Sequence, residues 1–86
     1  MVEYYPNGKV KILSKLTKYP NHFTDKGYFI SGKLEYEGET DYIKGKKYRR
    51  SWWVFYNEDS SVNSLVEFAN DGKGNEWILQ KKEAKK

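Results

Sequence analysis

The chain has 86 residues, a net charge of +4 and no cysteine. That length fits one domain with a small core, because so short a chain buries only about 60% of the surface it exposes unfolded. The missing cysteines exclude disulfides and thiolate metal sites, and the longest apolar run, residues 52–56, is far short of the roughly 20 residues a membrane-spanning helix requires.

Eight Tyr, four Phe and three Trp residues stand beside a single Met and few branched aliphatics. Each aromatic can bury about 150–250 Å². The expected core is therefore rich in Tyr, Trp and Phe, with hydroxyls and indole N–H groups at its rim. No basic region followed by an apolar stretch is visible near Met1, as a secretory signal would have. Together with the lack of cysteine, this leads to an expected cytoplasmic location. Lysine carries most of the positive charge, with only Arg49 and Arg50 as guanidinium. The excess suits an anionic partner and is also ordinary for a soluble domain of this size.

In chain order, Tyr5-Pro6-Asn7-Gly8 is a turn: Pro6 fixes one φ, and Asn7-Gly8 supplies positive φ. Alternating residues flank it on both sides, so a β-hairpin is expected, with a bulge or strand end near Ile12-Leu13. Residues 19–27, with Pro20, Asn21, Thr24, Asp25 and Gly27, read as a loop. Residues 28–37 read as a strand with Tyr28, Ile30, Leu34 and Tyr36 on one face and a bend at Gly32. Residues 39–47 read as a polar connection around Gly45, and residues 48–57 as a second long, aromatic strand. Ser60-Ser61 offers a helix cap, and Val62, Leu65, Val66 and Ala69 follow at i, i+3, i+4 and i+7. A short helix over residues 61–70 is expected, with strand as the alternative pattern. Gly74-Asn75 turns the chain into a last strand over 76–80. The repeated tripeptides Tyr5-Pro6-Asn7 and Tyr19-Pro20-Asn21 are too closely spaced to mark a repeat unit.

The resulting fold class is β-rich α+β: a small curled antiparallel sheet or partly open barrel, OB-like or SH3-like, with one short helix. Residues 1–80 form the domain, and residues 81–86 (KKEAKK) a basic flexible tail.

Catalytic chemistry is poorly represented. His22 is the one histidine, set among Pro20 and Asn21, and reads as a surface loop residue. There is no G-x-S-x-G elbow, and Gly72-Lys73-Gly74 lacks the context of a phosphate-binding loop. Glu35, Glu37, Glu39 and Asp41 cluster, but a solvated strand face explains them better than a metal ion or a glycosidase pair. No cofactor, no metal and no enzymatic activity are expected.

The stretch that carries binding chemistry is residues 44–56. Lys44, Lys46, Lys47, Arg49 and Arg50 supply cations; Tyr48, Trp52, Trp53, Phe55 and Tyr56 supply flat rings. Single-stranded nucleic acid is bound by that combination, phosphates by cations and bases by stacking. Strand alternation places Tyr48, Arg50, Trp52 and Tyr56 on one face and Arg49, Trp53 and Phe55 on the other. With Trp53 and Phe55 inward, the first set forms an outward stacking row. A central strand covered on both faces explains the same residues without a ligand. The candidate binding residues are Lys44, Lys46, Lys47, Tyr48, Arg49, Arg50, Trp52 and Tyr56. Residues 61–70 carry no Arg or Lys, so a major-groove recognition helix is not expected. Two functions follow. One is nucleic-acid (DNA) binding, directed at single strands or the backbone. The other is a protein-binding module or inhibitor using the same Arg/Trp/Tyr surface. A homodimer is a further way to cover an aromatic patch on the Trp52 strand.

Overall fold

The computed structural model describes residues 1–83. It contains seven strands: β1 (Val2–Tyr4), β2 (Val10–Lys18), β3 (His22–Tyr28), β4 (Leu34–Ile43), β5 (Lys46–Tyr56), β6 (Val62–Asn70) and β7 (Glu76–Glu83). Each strand pairs antiparallel with its chain neighbours, so the sheet order is the chain order. β1 and β7 are the two edges, and the sheet stays open. Among the described residues, β5 and β7 are the only elements that approach one another without being sheet neighbours. The described residues therefore form one curled layer, 36 × 33 × 18 Å, with no second layer packed on it among them.

The turns explain the meander. At one end of the sheet the same turn is built three times. Gly8 N–H donates to Tyr5 O at 2.9 Å, Gly32 N–H to Phe29 O at 2.8 Å and Ser60 N–H to Asn57 O at 2.9 Å. The donor residue has positive φ each time: 86°, 95° and 71°. Two of the three are glycine, which adopts this region without steric cost. The turns are also tied together. Asn7 Nδ2 donates to Ile30 O at 3.2 Å, and Ser31 Oγ donates to Glu58 Oε2 at 3.1 Å. At the opposite end, Lys44 and Gly45 have φ of 49° and 87° and close β4 onto β5 in two residues.

The β-rich class holds, but residues 61–70 are not helical: they form β6, and the class is all-β in the described residues. The apolar residues at i, i+3, i+4 and i+7 concealed the decisive alternation, in which Ser64, Val66 and Phe68 are buried. A lone ten-residue helix gains little in water, whereas β6 pairs along both sides, with β5 and β7. The expected loop over 19–27 holds a turn followed by β3. Its polar residues fooled the reading because Thr24 and Asp25 sit inside a sheet. The expected strand over 28–37 is two strands joined by the Gly32 turn. The polar connection over 39–47 shrinks to Lys44-Gly45, because β4 and β5 extend into it. β7 runs to Glu83, so the first three residues of the expected tail are strand; residues 84–86 lie outside the described residues.

The core is small, as the chain length requires. Trp53, Val66 and Phe68 are each 5% exposed, with Tyr36 and Phe55 packed against them. The ring centroids of Tyr36 and Trp53 lie 5.7 Å apart and nearly parallel, and Phe68 meets Trp53 edge-on at 6.2 Å. Two glycines make this possible. Gly38 lies beneath the Trp53 ring and Gly27 beneath the Tyr36 ring, so close that a Cβ at either would collide with the ring above it. Trp53 Nε1 donates to Glu39 O at 3.1 Å, which satisfies the indole while its face covers backbone.

Gly38→Ala should therefore lift Trp53 off the sheet and cost about 1–3 kcal/mol of stability, the usual penalty for overpacking a tight site. Urea unfolding followed by tryptophan emission measures it. An unchanged midpoint would mean the ring does not rest on this glycine.

Candidate functional site

β5 divides the expected binding stretch between two faces. Lys47, Arg49, Trp53 and Phe55 lie on the core face. Tyr48, Arg50, Trp52, Val54 and Tyr56 lie on the other, opposite Asp41, Glu39, Glu67, Glu37 and Val62 or beside them. The eight candidate residues therefore do not form one surface. Lys47 and Arg49 stand apart from Tyr48, Arg50, Trp52 and Tyr56, while Lys44 occupies the β4–β5 turn and Lys46 opens β5 beside it.

On the core face the charges are paired. Asp25, only 7% exposed, accepts from Thr40 Oγ1 at 2.9 Å, from Lys47 Nζ at 3.1 Å and from the Ser14 hydroxyl. Lys47 Nζ also lies 4.9 Å from the centre of the Phe23 ring. Arg49 grips Glu76 with Nη2 at 2.9 Å and its backbone N–H at 2.5 Å, and its guanidinium covers Phe68 at 4.1 Å. Lys81 and Glu83 pair at 3.4 Å on β7; opposite Val66 and Ser64, they stand on this face too. Between these pairs lies a groove of about 390 Å³, lined chiefly by Ile12, Tyr36, Trp53, Phe55, Lys47 and Arg49. Its floor is aromatic, and its flanking charges are already matched.

The opposite face is laced with charge. Arg50 reaches Asp41 at 3.0 Å and Glu39 at 3.5 Å. Tyr56 OH donates to Glu37 Oε2 at 2.6 Å, a bond that raises the phenol's pKa. Lys82 Nζ lies 5.8 Å from the centre of the Trp52 ring, and Gln80 donates to Glu67 at 2.7 Å. The expected row of Tyr48, Arg50, Trp52 and Tyr56 lies along one face of β5, each residue part-buried. Its arginine is held by two carboxylates, and Glu37 and Glu39 stand alongside. His22 is not a loop residue: it lies on β3, opposite Asp41, and its Nδ1 meets the Asp41 carboxylate. Lys44 and Lys46 are exposed and have no carboxylate partner among the described residues. Among those residues, no group of three His, Asp or Glu side chains is placed to hold a metal ion.

The sequence reading missed how Phe23, Asp25, Phe68 and Glu76 complete the core face; Tyr36 stood on the apolar face of the expected strand over 28–37. Phe23 and Asp25 fell in the segment read as a loop. Phe68 fell in the segment read as a helix, and Glu76 opened the expected last strand without any local sign of its pairing with Arg49. A period of two through Ser64, Val66 and Phe68 was the available signal for the last strands.

Asp41 ties His22, Arg50 and Asn70 together. Burial pushes its pKa up, but hydrogen bonds from Asn70 and His22, and then the Arg50 charge, outweigh that and hold it below the ordinary 3.8. A carboxyl depressed in the folded state stabilises the fold above its ordinary pKa. That contribution is lost as pH falls through the lower, folded value. Thermal unfolding by circular dichroism, taken from neutral pH to about pH 2.5, should show stability declining below about pH 4. Asp41→Asn should lower the neutral-pH midpoint and make that acid decline shallower. An unaltered acid limb would remove Asp41 as one of its causes.

No protein-family model matches the chain, and neither the curated proteins nor the solved structures provide a match.

Proposed function

We propose that this chain is a non-catalytic binding module whose core face docks an apolar surface of a protein. The observation that carries the reading is the missing second layer. Domains normally bury a sheet face against another layer, and here Tyr36 and Phe55 stay part-buried beside the covered Trp53 with no layer above them among the described residues. The internal pairing of Lys47, Arg49 and Lys81 supports an uncharged contact over an anionic one. Aromatic residues and arginine are also the side chains that dominate protein interfaces.

Nucleic-acid binding is the second reading. It draws on exposed Lys44 and Lys46 and on Tyr48 and Trp52. Against it stand Glu37, Glu39 and Asp41 on the same face as the stacking row, because they repel phosphate and already hold Arg50.

A displayed library of random peptides and a labelled oligo-dT, offered at low and physiological salt, separate the two. Apolar, aromatic-bearing peptides should be selected, with little salt dependence, and Phe55→Arg should abolish their binding. If instead oligo-dT binds with a log–log salt slope near −3, about four phosphates are engaged at roughly −0.7 each. The nucleic-acid reading then replaces this one.

A further inference from the structure

We infer that the partner on the core face is a second copy of this chain, the two sheets stacking face to face about a two-fold axis. The inference rests on the docking face proposed above and names its occupant.

Symmetry sets a demanding condition. A two-fold interface brings the same patch of each copy against itself, so the patch must be self-complementary. A patch with surplus charge of one sign fails, because like charges meet across the axis. The core face passes. Its cations Lys47, Arg49 and Lys81 are matched on the same face by Asp25, Glu76 and Glu83. The molecule as a whole carries +4, so this balance belongs to the face and not to the composition. At the β1 edge Glu3, opposite Ile12, and the ammonium of Met1, which lines the groove, add one charge of each sign. The rest of what is unmatched there is apolar: the groove over Tyr36, Trp53 and Phe55, and the half-exposed Leu16 and Tyr42 around it.

Position and size agree. The aromatic row stands on β4 and β5, and β4 is the middle strand of seven. An axis through the row would superpose nearly the whole of one sheet on the other. The sheet outline of 36 × 33 Å offers more than the roughly 800 Å² per partner that a stable interface covers. The product is a two-layer sandwich, in which aligned sheets pack about 10 Å apart with their side chains interleaved. Each copy would then supply the layer the other lacks.

The test is the mass of the purified chain by sedimentation equilibrium from low micromolar to near-millimolar concentration. The expected result is a dimer of twice the 10.2 kDa chain. Leu16→Arg adds charge to the core face at a side chain already 45% exposed, so folding should survive. It should raise the dissociation constant at least about tenfold, which is 1.4 kcal/mol. Phe55→Arg should do the same, with circular dichroism confirming the fold. Leu13→Arg, on the opposite face beside Lys26, should leave it unchanged.

A monomer at every concentration overturns the second copy. Binding of an apolar dye to that monomer, lost in Phe55→Arg, would leave the docking face standing with another occupant; no dye binding would remove the face as well. A dimer disrupted by Leu13→Arg but not by Leu16→Arg also overturns the inference, because the contact would then lie on the wrong face.

Discussion

Everything in this molecule depends on two aromatic rings lying flat on glycine. A single-layer sheet has no second layer to bury its side chains, so each must find cover within the sheet. Trp53 covers the backbone of Gly38, and Tyr36 that of Gly27. A ring lying down shields more of its own area than one standing up, and it brings neighbouring rings within stacking distance. Aromatic cover of sheet glycines is a known device for pinning register and curvature. Here it sits where the register shifts, between Glu37 and Glu39 on β4. The bulge and the covering ring thus belong to one feature: the extra residues of β5 allow Trp53 to reach over Gly38.

From that feature the two faces acquire different chemistry. The core face keeps all its charged side chains but Glu3 in matched pairs around an aromatic floor. The opposite face runs carboxylates and cations side by side, with Arg50 between Glu39 and Asp41 and Lys82 over Trp52. Such exposed pairs add little to stability individually. Their effect is on recognition, because they leave that face without a broad field of either sign. A strongly basic segment in the sequence has become two surfaces, neither of them strongly basic.

How much of this was legible beforehand follows from what each signal encodes. The first hairpin was readable because Tyr5-Pro6-Asn7-Gly8 states its turn chemistry locally. β5 was readable because its alternation is backed by bulk. β3 was hidden: Thr24 and Asp25 look like loop residues until Ser14, Thr40 and Lys47 arrive from β2, β4 and β5 to satisfy Asp25. That satisfaction is long-range and leaves no trace in the segment itself. β6 was ambiguous because Val62, Leu65, Val66 and Ala69 fit a helix as well as a strand, and only pairing with β5 and β7 decides it. The pairing of three candidate cations was hidden for the same reason. Lys47, Arg49 and Arg50 look free in a string of letters, but their carboxylate partners lie on other strands.

The edges complete the argument for where a partner can sit. A sheet can recruit another chain at an edge or on a face. β1 offers an edge of only three residues. β7 is longer and exposes Trp77, Ile78 and Leu79, but its register shifts beside Phe68 and Lys81-Lys82 follow. Bulges and lysines are what proteins use to blunt an edge against strand addition. A bulge also puts the two halves of β7 out of step, so a partner strand could not follow both. With the edges blunted and one face occupied by alternating charge, the aromatic face is the surface left on which another molecule gains by excluding water.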